Sequence, residues 1–184
     1  LEFNSSYIIN NNLLVGVSAY KNLIDNKLIK DTLANSNRWI NKNELNTYGI
    51  DIYSNYSLKK TQIYANYTYS SSYEQDGIII PEISMHTANL GLTYSVNSHF
   101  KLNLRANYIG ERENPNIIPT TGNTTIDDAL LFHTCISFFD LKKFDLQLKV
   151  SNLLNQEYYH PATLFEGRYR QPQRTITFKI SYNF

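Results

Sequence analysis

Apolar and polar side chains alternate along the last stretch of the chain, residues 174–184. One parity carries Ile176, Phe178, Ile180, Tyr182 and Phe184, and the other carries only threonine, lysine, serine and asparagine. Successive side chains of a β-strand point to opposite faces, so the pattern predicts a strand with one apolar and one polar face. Such a strand requires lipid or a protein core on one side and water on the other.

The same alternation recurs eight more times and predicts nine strands in all. They cover approximately residues 1–8, 13–20, 48–58, 62–69, 87–95, 100–108, 130–138, 144–151 and 174–184. Short turns and long polar segments alternate between them, and the long segments span approximately residues 22–46, 70–85, 110–128 and 155–173. The sequence therefore predicts a sheet whose long loops all emerge at one end.

Aromatic residues close the apolar faces at both ends. Tyr56, Phe100 and Phe138 lie near short turns, and Tyr48 and Tyr108 lie near long segments. Strands of roughly 9–11 residues, short turns on one side, long loops on the other and two aromatic girdles are typical of an outer-membrane β-barrel. We therefore predict an all-β, antiparallel transmembrane barrel. The alternatives are a soluble β-sandwich, whose loops have no reason to sort by length, and a small structural barrel.

Composition narrows the possible functions. A helical membrane span needs about 20 consecutive apolar residues, and the sequence has no such run. The net charge is +1, so there is no large basic field that would attract nucleic acid. Cys135 is the single cysteine in the 184 residues, which excludes an internal disulfide and a cysteine-based metal site.

The number of predicted strands is odd, whereas single-chain bacterial barrels have an even number. We therefore expect the chain to be part of a larger barrel, or one piece of a split barrel completed by another polypeptide.

A specific motif lies near the end of the chain. Val150-Ser-Asn-Leu-Leu-Asn-Gln-Glu-Tyr-Tyr159 is followed by Gly167-Arg168, by Pro172-Gln-Arg174 and by the alternating strand that ends in Phe184. This order resembles the C-terminus of TonB-dependent outer-membrane receptors, in which glycine is usual at the place of Gln173. Tyr108-Ile-Gly-Glu-Arg112 is a weaker similarity of the same kind.

The resemblance implies a barrel of roughly 22 strands filled by an N-terminal plug. Residues 1–184 would be its C-terminal part, without the plug, the earlier strands or the segment that binds the TonB complex. The receptor would lie in the outer membrane of a Gram-negative bacterium, and the barrel-assembly machinery would recognise its terminal strand. Its function would be import of a ferric siderophore by loop capture and plug rearrangement. Receptors for haem or another metal complex are the alternative within the family.

Catalysis has little support in the sequence. The four histidines, His86, His99, His133 and His160, are scattered, and the chain has no nucleophile grouping, phosphate-binding loop or metal-ligand pair at a diagnostic spacing. We expect no enzyme, no cofactor and no bound metal.

Candidate ligand-binding residues lie in the long segments. Arg112, His160, Arg168, Tyr169 and Arg170 are the candidates, because cations and phenols recognise anionic iron chelates. A haem receptor requires a histidine directed at the iron, and either His86 or His160 has a suitable position near a long loop.

Charged residues on the polar parity of the strands form a second candidate set. They are Asp51, Lys101, Arg105, Asp145, Lys149 and Lys179. In a barrel they face the lumen, where we expect them to meet water or, by the resemblance, to form salt links with the plug.

Overall fold

The computed structural model describes residues 1–26, 28–30, 39–41, 44–74, 80, 83–114, 124–162 and 168–183. Phe184 of the predicted closing strand and Gly167 of the C-terminal motif lie outside these residues.

The described residues contain fifteen β-strands. In chain order they are β1 (Glu2–Asn10), β2 (Leu13–Ile24), β3 (Leu28–Lys30), β4 (Trp39–Asn41), β5 (Leu45–Leu58), β6 (Thr61–Glu74), β7 (His86–Ser95), β8 (Phe100–Ile109), β9 (Arg112–Glu113), β10 (Thr125–Ile126), β11 (Ala129–Leu141), β12 (Phe144–Ser151), β13 (Tyr159–Pro161), β14 (Arg168–Arg170) and β15 (Thr175–Tyr182). No helix of the described part is long and apolar enough to cross a membrane.

Nine of these strands form one antiparallel sheet in the order β1-β2-β5-β6-β7-β8-β11-β12-β15. Each strand pairs with the next one of the sheet along the chain, which confirms the nine predicted strands and their all-β, antiparallel class. In the described residues β1 and β15 are the two edges of the sheet and do not pair with each other, so the sheet is open.

Several predicted boundaries were wrong. β2, β5 and β6 run into segments that were predicted as loops, and β1 continues to Asn10, which leaves Asn11 and Asn12 as the turn. The long segments also contain three two-stranded hairpins, β3–β4, β9–β10 and β13–β14. Alternation could not reveal these hairpins, because strands of two or three residues are too short to show a period of two.

The sheet has an apolar face that is exposed along its whole width. Residues on this face that expose more than a third of their surface include Ile50, Ile52, Ile63, Tyr67, Leu90, Leu104, Leu130, Phe138, Leu148, Ile176, Phe178 and Ile180. None of the four buried apolar residues of the described part belongs to this set. A soluble sandwich would cover such a face with a second sheet, so the exposed face argues against the sandwich alternative.

Aromatic side chains form a belt at each end of the apolar face. At the short-turn end, the rings of Phe100 and Phe138 stack with centroids 4.7 Å apart, and those of Phe144 and Tyr182 lie 5.0 Å apart. At the long-loop end, Tyr69 lies 5.3 Å from the ring of His86. These are the two girdles that the sequence predicts, and they bracket the apolar band.

Candidate functional site

A turn built by two asparagines begins the last long loop. Asn152 and Asn155 have φ angles of 52° and 57°, in the left-handed region that asparagine tolerates better than most residues. The buried side chain of Asn152 donates to the carbonyl of Gln156 (2.7 Å) and accepts from its N–H (2.9 Å). Asn155 Oδ1 accepts the N–H of Arg174 (2.9 Å), so the turn also fixes the start of β15.

Asn152 can be tested by two substitutions that separate its two roles. Asn152→Ala loses both side-chain hydrogen bonds and strains the backbone, and we expect it to lower the free energy of unfolding by about 2–4 kcal/mol. Asn152→Gly keeps the backbone angle accessible, and we expect a smaller loss of about 1–3 kcal/mol. Urea unfolding in detergent measures both values. Equal losses for the two variants would contradict the backbone part of the explanation.

Two loops on the same side carry the candidate ligand residues. We use loop 3 for residues 110–114 and 124–128 and loop 4 for residues 152–162 and 168–174, which are the parts of these two segments that the structure describes. Loop 3 contains the hairpin β9–β10, loop 4 contains the hairpin β13–β14, and β10 contacts β13. In β13–β14, His160 pairs with Tyr169, and Tyr159 pairs with Arg170.

Arg112, in β9, connects the two loops. The residue is only 4% exposed, and its Nη2 donates to the backbone carbonyl of Tyr159, 2.8 Å away. Its Nε has no hydrogen-bond acceptor within the part of the chain that the structure describes. Burial lowers the pKa of the guanidinium from its ordinary value. Arg112 therefore acts inside the loop assembly rather than on its surface.

Polar contacts order the hairpin β13–β14. The guanidinium of Arg168 lies 3.9 Å from the ring centroid of Tyr159, and Arg170 Nη2 lies 2.8 Å from Glu157 Oε2. The Tyr159 hydroxyl also donates to Glu157. The hydrogen bond from this hydroxyl is the main cause of the lowered pKa of Glu157, and the charge of Arg170 lowers this pKa further. Glu157 and Tyr159 were not among the residues predicted from sequence, because no spacing rule marks so short a hairpin.

The structure places all five predicted ligand residues in the hairpins β9–β10 and β13–β14, where loops 3 and 4 meet, but their surroundings differ. His160, Tyr169 and Arg170 are exposed on the hairpin, whereas Arg168 is half-buried and Arg112 is buried. Partial desolvation and the nearby charge of Arg112 lower the pKa of His160 below its ordinary value of 6.5. Both effects favour the neutral form of the imidazole. Whether these residues bind a ligand stays a prediction.

The predicted inward charges all lie on the polar face of the sheet. Lys101, Arg105 and Lys149 line one depression of about 480 Å³ together with His133, Cys135 and Gln147. None of the six predicted charges forms an ion pair within the described residues. Their contact with a plug stays a prediction.

The two carboxylates on this face accept hydrogen bonds from uncharged groups. Asp51 Oδ1 accepts from Thr68 Oγ1 (2.6 Å). Asp145 accepts from the N–H of Asp140 (2.8 Å) and from Asn183 Nδ2 (3.3 Å). No carboxylate of the described residues therefore neutralises these lysines and this arginine, although Lys101 Nζ lies 5.4 Å from the centroid of the Phe139 ring.

The histidines do not converge. His86 lies on the apolar parity of β7, and its Nδ1 is 2.7 Å from the Tyr67 hydroxyl. It therefore shares the outer aromatic belt and does not point toward the same side as the inward charges. Among the described residues, no three histidine, cysteine, aspartate or glutamate side chains are grouped to hold a metal ion.

One family model matches most of the chain. The family model "TonB dependent receptor-like, beta-barrel" matches residues 3–153, while comparison with curated protein sequences found no significant match. Among solved structures, the ferric citrate transporter FecA superimposes with a TM-score of 0.80 at 18% identity, over 100% of this chain and 30% of FecA.

Two further solved structures show the same fold. The FrpB iron transporter from Neisseria meningitidis gives a TM-score of 0.79 at 14% identity, over 100% of this chain and 30% of FrpB. The ferripyoverdine receptor of the outer membrane of Pseudomonas aeruginosa gives 0.73 at 15%, over 98% and 27%. The chain thus spans less than a third of the length of each. The solved structures share the fold, and the family model covers residues 3–153 of the 184 residues, so the chain belongs to the TonB-dependent receptor-like β-barrel family.

Proposed function

We propose that the chain is the C-terminal nine-stranded section of the barrel of a TonB-dependent transporter that imports a ferric siderophore. The observation that carries this proposal is the exposed hairpin β13–β14, which presents His160, Tyr169 and Arg170 at the long-loop end of the sheet. The names of the related structures, which refer to ferric citrate, iron and ferripyoverdine, support an iron chelate as the ligand.

The chemistry of the hairpin suits an anionic chelate. Arg170 offers a guanidinium that pairs with carboxylate or catecholate oxygens, and Tyr169 adds an aromatic face and a hydroxyl. The salt bridge from Arg170 to Glu157 is half-exposed on both sides, so it contributes little to stability and a ligand anion can replace Glu157 at modest cost. Capture by the loops is the first step that we assign to this chain.

The rest of the chain would provide the wall. We infer that the apolar face contacts outer-membrane lipid and that the polar face lines the lumen. Lys101, Arg105, Lys149 and Lys179 would there meet acidic groups of the plug or the passing anionic ligand. The plug, the earlier strands and the segment that contacts the TonB complex would come from outside these 184 residues. Assembly through the terminal strand by the barrel-assembly machinery is part of the same proposal.

Binding to the complete receptor in detergent tests the proposal. We expect one member of a panel of ferric catecholates, hydroxamates and citrate to bind, and we expect the double variant Tyr169→Ala/Arg170→Ala to weaken it about tenfold or more. Isothermal titration calorimetry measures the affinity. His99→Ala, in the short turn at the opposite end of the sheet, is the control and should leave affinity unchanged.

Two results would redirect the proposal. If haem binds instead, and His160→Ala abolishes the spectral change of the bound haem, the receptor belongs to the haem class. If no iron chelate or haem binds and no uptake occurs in cells, the chain is a structural barrel, and the transporter proposal fails.

A further inference from the structure

The buried apolar residues of the described part all lie at one place, the junction of loops 3 and 4 with the sheet. They are Ile126 (3% exposed), Ala129 (1%), Leu131 (5%) and Ala162 (1%). Ile126 belongs to β10 in loop 3, Ala129 and Leu131 begin β11, and Ala162 follows β13 in loop 4. The nine-stranded sheet has a single layer, so within the described residues this junction is the region with the character of a protein core.

Arg112 lies inside this region. It pairs with Ile126 across the hairpin β9–β10, and its Nη2 donates to the carbonyl of Tyr159 in the other loop. A guanidinium taken out of water must keep hydrogen bonds to offset its lost hydration. Here the described partner is a backbone atom of loop 4, so the bond holds only while the two loops keep one relative position.

We propose that loops 3 and 4 form one preassembled unit and that Arg112 is the positioning residue that holds the hairpin β13–β14 in place. The unit exists without ligand. Its role in ligand capture, in which it presents His160, Tyr169 and Arg170 at a fixed place, rests on the proposed function. Under this proposal, the two loops form one rigid wall of the entrance to the barrel lumen.

Substitutions at Arg112 separate this role from general stability. Arg112→Ala leaves the Tyr159 carbonyl without its donor and opens a space beside Ile126, whereas Arg112→Lys keeps a charge and one donor group. We expect the alanine variant to uncouple the loops and the lysine variant to restore part of the coupling. Asp127→Asn, an exposed change in the same loop, is the matched control.

Distance measurement by pulsed electron paramagnetic resonance tests the unit in the complete receptor without ligand. Spin labels replace Glu113 in loop 3 and Tyr169 in loop 4, both exposed, in a Cys135→Ser background. We expect one narrow distance distribution in the parent and in Asp127→Asn, at least a doubling of its width in Arg112→Ala, and an intermediate width in Arg112→Lys. A broad distribution in the parent, or an unchanged width in Arg112→Ala, would overturn the proposal.

A second measurement keeps the proposal testable if Arg112→Ala does not fold. In the unlabelled parent, the amide hydrogens of residues 124–131 and 157–162 should exchange with solvent at one common opening rate. The amides of β5 and β6 should exchange independently of them. Separate rates for the two loops would refute the unit.

Ligand binding distinguishes this proposal from the proposed function. Arg112→Ala should lower the affinity for the chelate by the same factor as Tyr169→Ala/Arg170→Ala. The triple variant should lose no more affinity, because all three substitutions remove the same presented surface. A narrow distance in a receptor that binds no chelate would leave the loop unit intact and reject only the proposed function.

Discussion

Replacing Gly49 by alanine is expected to destabilise the sheet strongly. A Cβ at this position would lie 2.5 Å from the Tyr20 hydroxyl oxygen and 2.6 Å from the backbone carbonyl oxygen of Tyr69. The tyrosine ring can turn away, but the carbonyl belongs to the neighbouring strand and cannot move without breaking the ladder. Overpacking of this kind costs about 1–3 kcal/mol or more, and the effect here should reach the upper end because a backbone atom is involved.

Gly91 provides the matched comparison. The three atoms nearest to a Cβ at Gly91 all belong to the ring of Tyr64, which pairs with Gly91 across β6 and β7. We therefore expect Gly91→Ala to be harmful alone and to be rescued by Tyr64→Ala, which removes the ring. Tyr20→Ala should fail to rescue Gly49→Ala, because the Tyr69 carbonyl stays in place.

Heat modifiability of the receptor in outer membranes measures both effects. A folded barrel migrates differently before and after heating in gel electrophoresis, and the fraction of folded protein can be read from the unheated lane. We expect a clearly reduced folded band for Gly49→Ala with or without Tyr20→Ala, and recovery of the folded band for Gly91→Ala/Tyr64→Ala. A folded band for Gly49→Ala equal to that of the parent would contradict the close approach of β5 and β6.

A lysine on the apolar face should destabilise the barrel, whereas a lysine one residue further along the same strand should not. Val17 and Ser18 are neighbours in β2 whose side chains point to opposite faces of the sheet, and Ser18 pairs directly with Asp51. Val17→Lys places a charge near the middle of the apolar face, and if this face contacts lipid the expected cost is about 2–4 kcal/mol. Ser18→Lys places the same charge on the polar face opposite a carboxylate, where the expected change is within about 1 kcal/mol.

Unfolding by urea in lipid vesicles measures this pair under identical conditions. The two variants share strand, charge and depth, so their difference reports the environment of each face alone. Equal losses in both variants would mean that the two faces meet similar surroundings, and the membrane orientation of the sheet would have to be abandoned.

The sheet could be predicted from sequence because each of its faces meets one uniform environment. Ile176, Phe178 and Ile180 alternate with Thr177 and Lys179 over the full strand, and the structure places the two sets on opposite faces. The asparagines of the C-terminal motif were also informative, since Asn152 and Asn155 do adopt the left-handed backbone that asparagine favours in turns.

The loop assembly could not be predicted in the same way. Arg112 was named as a candidate ligand residue because it is a cation in a long loop, but its burial depends on Ile126 and Tyr159, which are distant in sequence. The glycine–tyrosine contacts were missed for a related reason. Tyr20, Tyr53 and Tyr64 lie over Gly49, Gly16 and Gly91, and only the cross-strand register brings these partners together.

Accessibility of single spin labels along β2 and β5 should decide whether this sheet is a lipid-facing barrel wall. Labels are introduced one at a time at residues 15, 17–20 and 50–54 of the complete receptor in lipid vesicles, with Cys135 changed to serine; Gly16 and Gly49 are left out because a side chain there would meet a neighbouring strand. Collisions with oxygen, which is enriched in lipid, and with a water-soluble nickel chelate are then compared at each position. We predict that oxygen accessibility peaks at every second position, including Val17, Ile50 and Ile52. Equal access of the nickel chelate to both parities would contradict the membrane-spanning sheet.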